Sequence, residues 1–208
     1  MNKITNSREI RTIRENFLLN PYQKDILAGT LLGDGGLYAD GWSKNYRLQV
    51  IQGNKQKEYL FWKFDAFRNC CVSSPSYQKW NDSWRIRTIS HSQFNGYARA
   101  FYSEGRKIVP KDIANLLTPL SVAIWFMDDG VLGSRGDGYV LNTQNFTDAE
   151  NAHLKFCLED KFSLDVSIHA DKRWWRLYIR KGSMAQFKKI IEPYMIPSMK
   201  YKLQLLTP

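Results

Sequence analysis

The sequence predicts an α+β protein in which one structural unit is used twice, each copy running helix, strand, strand, helix, strand, strand, helix. Three observations predict it. Landmarks recur in one order at a nearly constant interval: Asp34 and Asp129 stand 95 residues apart, Gln52 and Gln144 92, Trp84 and Trp175 91, Phe94 and Phe187 93, Lys107 and Lys202 95. Two apolar helical stretches end alike, in an acidic residue followed by glycine, at Gly33-Asp34-Gly35 and Asp128-Asp129-Gly130. Two later stretches, Trp84–Ile89 and Arg173–Arg180, alternate apolar and basic residues with the period of two that marks a strand with unlike faces. Duplication and fusion explain all three, with a pseudo-two-fold axis between the halves.

The elements follow in order. Residues 1–20 carry Arg8, Arg11 and Arg14 beside Glu9 and Glu15 and form an N-terminal extension. The first unit is drawn over residues 21–115 and the second over 116–208. The helix Tyr22–Leu32 begins after Pro21 and stops at the glycines, as helix ends do. An extended segment Leu48–Gln52 follows, then a helix Glu58–Asn69, the strand at Trp84, and a helix opened by Gln93-Phe94. In the second unit Thr118 is a good N-cap, Pro119 suits the first turn and Gly130 the stop. Val140–Gln144, the helix Glu150–Lys161, the strand at Trp175 and the helix at Gln186-Phe187 repeat the pattern. Trp84, Ile86 and Thr88 share one face and Arg85 and Arg87 the other; Trp175, Leu177 and Ile179 oppose Trp174, Arg176, Tyr178 and Arg180. Such a sheet packs on helices behind and leaves an arginine-rich face open in front. The seven Trp are expected in the core and in sheet packing.

A hydrophobic fraction of 43% with 24% charged residues belongs to a folded chain, and no apolar run approaches the roughly 20 residues that cross a bilayer. The first 20 residues have no apolar core, which argues against a secretory signal. Cys70, Cys71 and Cys157 make a poor disulfide framework, and His91, His153 and His169 have no zinc-ligand spacing. An intracellular protein with free thiols is expected. The net charge is +10, and both halves are basic, which points to a polyanionic partner.

The carboxylates at the two helix ends carry the most information. A helix C-terminus bears partial negative charge and disfavours anions, yet Asp34 stands at one end and Asp128-Asp129 at the other. Gly29 and Gly33, with Ala28 beside them, let the first helix approach a partner closely, and Ala123 gives smaller relief on the second, which also carries the bulky Trp125. Helices packed that way would bring Asp34 and Asp129 together, where a hard divalent cation would relieve their repulsion. Such metals activate water and stabilise the leaving oxygen of a phosphodiester.

Leu27-Ala28-Gly29-Thr30-Leu31-Leu32-Gly33-Asp34-Gly35 resembles the nine-residue LAGLIDADG motif, with Thr30 and Gly33 as departures, and Val122–Gly130 resembles a divergent second copy. The stretch Leu117–Gly130, then Leu141–Gln144, Pro193–Pro197 and Tyr201-Lys202-Leu203, is similar to the second half of yeast mitochondrial monomeric homing endonucleases. The resemblance runs from about Pro21 to Leu203. It implies two αββαββα units around a two-helix interface, their antiparallel sheets forming a saddle on the DNA major groove. It implies Asp34 and Asp129 as metal-binding acids, with the backbone carbonyls of Gly33 and Asp128 as further ligands. Lys107 and Lys202 would flank the cleavage centre, and Gln52 and Gln144 would orient solvent there. Mg²⁺ or Mn²⁺ would support cleavage and Ca²⁺ binding alone, and the cut would leave 3′ overhangs.

Sequence would be read by the open sheet faces, since a two-stranded ribbon fits the major groove. Asn45, Arg47, Gln49, Arg85, Arg87, Asn142, Arg176 and Arg180 are the expected DNA contacts, some to phosphate rather than to bases. Because the halves differ at these positions, a monomer on a long, imperfectly symmetric duplex is expected, with no membrane partner. An intron-RNA maturase and a DNA-binding protein without cleavage stay open as alternatives. Mitochondrial, chloroplast and bacterial or phage hosts are not distinguished.

Overall fold

The computed structural model describes residues 8–39 and 44–204. By packing, the chain falls into two compact units. One takes the chain up to Lys24 with Asp34–Arg99, and the other takes Asp25–Gly33 with the chain from Ala100.

The first unit opens with helix α1 (Arg8–Asn16) and the start of α2 (Pro21–Leu32). It continues through β1 (Gly36–Ala39), β2 (Tyr46–Gly53), α3 (Lys57–Ala66), β3 (Ser76–Gln78), β4 (Ser83–Arg87) and α4 (Asn95–Phe101). The four strands are antiparallel in the order β1-β2-β4-β3, with Val50 opposite Ile86 and Gln52 opposite Trp84. Leu48, Val50 and Ile86 are buried on the inner face, while Arg47, Gln49 and Arg87 lie on the other. A reciprocal cap starts α2: the Gln23 N–H donates to Asn20 Oδ1 at 2.8 Å and the Asn20 N–H to Gln23 Oε1 at 3.1 Å. The extension from Arg8 to Asn20 is tied down by the buried Ile10, Phe17 and Leu19. It is also held by His91, whose Nε2 meets the Arg14 carbonyl at 2.9 Å and whose Nδ1 accepts from the Gln93 N–H at 3.2 Å. That pairing makes His91 a structural residue with the proton on Nε2.

The second unit holds β5 (Tyr102–Ser103), β6 (Arg106–Lys107), α5 (Pro119–Asp129), β7 (Gly130–Leu132) and β8 (Gly138–Leu141). It is completed by α6 (Asp148–Phe162), β9 (Val166–Asp171), β10 (Trp174–Arg180), α7 (Met184–Ile191) and a 3-10 turn over Pro197–Leu203. Its main sheet repeats the first, in the order β7-β8-β10-β9. Each unit thus follows the predicted helix and strand order.

Boundaries differ from the sequence reading where polar side chains intervene. α6 starts at Asp148, two residues early, because Thr147 and Glu150 form a capping box. β8 stops at Leu141, and Asn142 continues its register against the end of α5, its N–H donating to the Asp129 carbonyl at 3.0 Å. α3 gives way after Ala66 to a 3-10 turn over Arg68–Cys70.

α5 is buried from Leu120 to Asp128, too apolar all round to be a surface helix. The second-unit part of α2 packs on it through glycine. A Cβ on Gly29 would stand 2.3 Å from the Ser121 carbonyl oxygen and 2.7 Å from Ile124 Cβ, and one on Gly33 2.4 Å from Asp128 Cβ. The close approach expected of α2 is present, and its two glycines meet Ser121, Ile124 and Asp128. All three cysteines are free, and among the described residues no helix is long and apolar enough to cross a membrane.

Candidate functional site

Each apolar helix ends on carbonyls that its own backbone leaves without donors. In the second unit a lysine ammonium fills both vacancies. Lys107 Nζ donates to the Gly33 carbonyl at 2.8 Å, just past the end of α2. Lys202 Nζ donates to the Met127 and Asp128 carbonyls at 2.6 and 2.8 Å, at the end of α5. A cation at a helix C-terminus offsets the partial negative charge there, and it makes an adjacent carboxylate tolerable. The two lysines paired by their 95-residue spacing therefore do one job twice. The carbonyls of Gly33 and Asp128, expected as metal ligands, are the ones the lysines hold.

The acids differ in setting. In the first unit Asp34 is exposed, and Gln52 Nε2 donates to its Oδ2 at 3.0 Å from an otherwise buried position on β2. In the second unit Asp128 is buried against Gly33 and Asp129 is half-buried. The Asp129 carbonyl accepts from both the N–H and Nδ2 of Asn142, at 3.0 and 2.9 Å. Asn142 thus serves the helix end through both its backbone and its side-chain amide.

Gln144 sits one residue out of register with Gln52. Strand pairing sets Val50 against Ile86 and Leu141 against Leu177, a shift of 91 residues that aligns Gln52 with Thr143. Thr143 is buried and bonded to Asn151 and to the Trp175 carbonyl. Gln144, one residue on, donates to Asp171 at 3.1 Å instead of reaching an acid of the helix end. A slip of one residue moves a side chain to the other face of a sheet, and a match of residue types cannot reveal it.

The basic faces differ between units. On the first, Arg87 Nε donates to Gln49 Oε1 at 2.6 Å across the strands, and Arg47 lies opposite Tyr38. Arg85 lies opposite Ile51 on the same face. Asn45 precedes β2 and accepts from Asn95 Nδ2 at 2.9 Å, which places it at the rim. On the second, Arg176 pairs with Asp171 at 3.0 Å and Arg180 with Asp165 at 3.6 Å, so each arginine already faces a carboxylate. This face carries a concavity of about 920 Å³ lined by Arg135, Asp137, His169, Arg176 and Tyr178. The His169 and Tyr178 rings stack at 4.5 Å. Burial and the hydrogen bond to Asp137 push the Tyr178 hydroxyl up to about 12. His169, Tyr178 and Asp137 were not singled out by sequence; the alternation that placed Arg176 outward also placed Tyr178 there.

The tryptophans depart from expectation in two places. Trp125 is fully buried, as expected, but Trp80 is 82% exposed at the β3–β4 hairpin tip and Trp174 47% exposed beside Arg173. Trp42 lies outside the described residues.

Comparison with known proteins matches this arrangement. The sequence profile of the LAGLIDADG DNA endonuclease family matches residues 24–187. The chain is 33% identical to the cytochrome b mRNA maturase bI2 of Debaryomyces hansenii, covering 92% of this chain and 77% of that one. It is 32% identical to a probable intron-encoded endonuclease 1 of Wickerhamomyces canadensis, covering 95% and 91%. The structure of the homing endonuclease I-WcaI bound to its DNA recognition sequence superposes with a TM-score of 0.88 at 30% identity, over 97% of this chain and 95% of that one. The chain belongs to the LAGLIDADG DNA endonuclease family.

Proposed function

We propose that this chain is a homing endonuclease that cuts double-stranded DNA at a long, imperfectly symmetric site, acting as a monomer and leaving 3′ overhangs. One observation carries the reading: an acid-tipped helix end with a lysine ammonium on its terminal carbonyls occurs twice, at Gly33-Asp34 with Lys107 and at Asp128-Asp129 with Lys202. One such end would be a turn; two suit a reaction carried out once on each strand.

The donors available at these ends are carboxylate and carbonyl oxygens, the set that Mg²⁺ or Mn²⁺ accepts, so the residues fit a hard divalent cation. Asp34 at one helix end and Asp129 at the other would be the metal-binding acids, helped by whichever of the Gly33 and Asp128 carbonyls the lysines release. When bound, the metal supplies an activated water and charge stabilisation at the phosphodiester. Gln52 orients the Asp34 carboxylate, and Asn142 holds the backbone of Asp129 in place. Lys107 and Lys202 neutralise charge on the phosphate undergoing attack. Arg47, Gln49, Arg85 and Arg87 offer donors to one half of the target, and Arg176 and Arg180 to the other.

The maturase name of the Debaryomyces relative keeps RNA as a second ligand to test. The deciding experiment is Mg²⁺-dependent cleavage of a randomised duplex library by the purified chain, beside Asp34→Asn, Asp129→Asn and EDTA controls. Discrete cuts at one long sequence are expected, lost in each variant and in EDTA while binding in Ca²⁺ persists. Undiminished cutting by either variant overturns the assignment of the acids. Retained RNA binding with no cuts would favour the maturase.

A further inference from the structure

We infer that Glu150, in the first turn of α6, is the positioning residue for Lys107. Both of its carboxylate oxygens are fully employed. Oε2 accepts from the Thr147 N–H at 2.7 Å and from one Arg106 nitrogen at 3.0 Å. Oε1 accepts from the second Arg106 nitrogen at 3.2 Å and from the Val109 N–H at 3.1 Å. Arg106 and Val109 flank Lys107, so one carboxylate grips the chain on both sides of the lysine. The arginine contact is the two-pronged kind, which fixes direction as well as distance.

Lys107 needs such a grip. It sits on β6, which pairs with β5 over two residues only, and a ribbon that short does not hold its own geometry. Its side chain is long and rotamer-rich, so the ammonium stays on the Gly33 carbonyl only if the backbone beneath it is held. Glu150 is built into a rigid element by the capping box of a fifteen-residue helix. Burial opposes its ionisation, but the hydrogen bonds from Arg106, Thr147 and Val109 prevail and bring its pKa down to about 2. The carboxylate is therefore charged wherever the protein is folded and active. Lys202 rises from the turn Pro197–Leu203 and is held by two carbonyls at its tip.

The inference rests on Lys107 acting at the cleavage centre, and two readouts keep the failure of one apart from the failure of the other. In single-turnover cleavage of the duplex recovered from the library, Glu150→Gln is expected to slow cutting about tenfold with affinity in Ca²⁺ held within about twofold. In a Lys107→Met background the same change is expected to slow cutting no further, because its route has been removed. Glu159→Gln is the control for a purely structural loss, since Glu159 is paired with Lys155 and the Val166 N–H on the same helix and does not touch the lysine strand. The second readout needs no cleavage. Trace acetylation of the folded protein, followed by mass spectrometry, is expected to label Lys107 several-fold faster in Glu150→Gln than in wild type or Glu159→Gln. Equal labelling in all three overturns the positioning role, whatever the nuclease assay reads. So does additive slowing in the Lys107→Met background, or equal slowing by Glu159→Gln. Faster labelling with unchanged cleavage would mean that Glu150 holds a lysine with no part in the reaction, and the inference would fall there.

Discussion

Thr30 shows how a single atom separates fitness for the fold from fitness for the family motif. It is completely buried on α2, and its Oγ1 finds no hydrogen-bond partner among the described residues. A buried hydroxyl without a partner costs free energy that a methyl group would not. Thr30→Val keeps the shape and is expected to raise stability by about 1 kcal/mol, read as a higher midpoint in urea with unchanged slope. A lower midpoint would mean the hydroxyl is satisfied. Glu150 gives the opposite case, a charge the fold depends on. Its pKa is lowered from 4.5 to about 2 in the folded chain. A depressed carboxylate stabilises the folded state above the unfolded value and loses that contribution as pH falls through the folded one. Glu150→Gln should therefore melt below wild type at neutral pH, and the gap should close between about pH 4.5 and pH 2. A gap that stays constant with pH would assign the loss to packing instead of charge.

At the scale of elements the helix contact is the clearest case. Gly29 meets the backbone oxygen of Ser121, which cannot rotate away as a side chain could. Gly29→Ala would overpack the α2–α5 contact and is expected to cost about 1–3 kcal/mol, seen as a lower urea midpoint, even though alanine is the better helix former. A rise in stability would show that the helices can part without loss. This contact was legible in the sequence because glycine four residues from glycine on an apolar stretch has few other uses. The helix and strand order was legible for the same reason: the apolar period and the capping residue Thr118 are local signals, whereas the cap at Thr147 was missed and moved the start of α6. Strand register was not. Gln144 looks like the partner of Gln52 by type, yet Thr143 occupies the equivalent place, because register follows from pairing with β10 and leaves no mark in spacing. Ion pairs across strands were equally hidden: Asp171 and Asp165 lie far from any motif, and only the fold brings them to Arg176 and Arg180. The exposure of Trp80 escaped for a like reason, since a hairpin tip and a core strand can carry the same residue.

For the molecule as a whole the net charge of +10 has to act through surfaces, and the two sheet faces use it unequally. The second face has its arginines tied to carboxylates, while Arg85 on the first has no ion pair among the described residues. Each phosphate that a protein cation neutralises releases a counterion, so affinity for duplex DNA should fall steeply as salt rises, with a log–log slope of about −0.9 for every phosphate engaged. Arg85→Ala should flatten that slope by about one unit. Asp171→Asn should do the reverse, because it frees Arg176 for phosphate and removes a charge that repels it. Filter binding in Ca²⁺ across a series of salt concentrations measures both. If neither variant changes the slope, the sheet faces are not where the duplex sits, and the basic charge must serve another surface. If Arg85→Ala flattens it and Asp171→Asn steepens it, the repeated unit has diverged electrostatically. One half then holds its target by charge, and the other reads it through side chains already fixed in place.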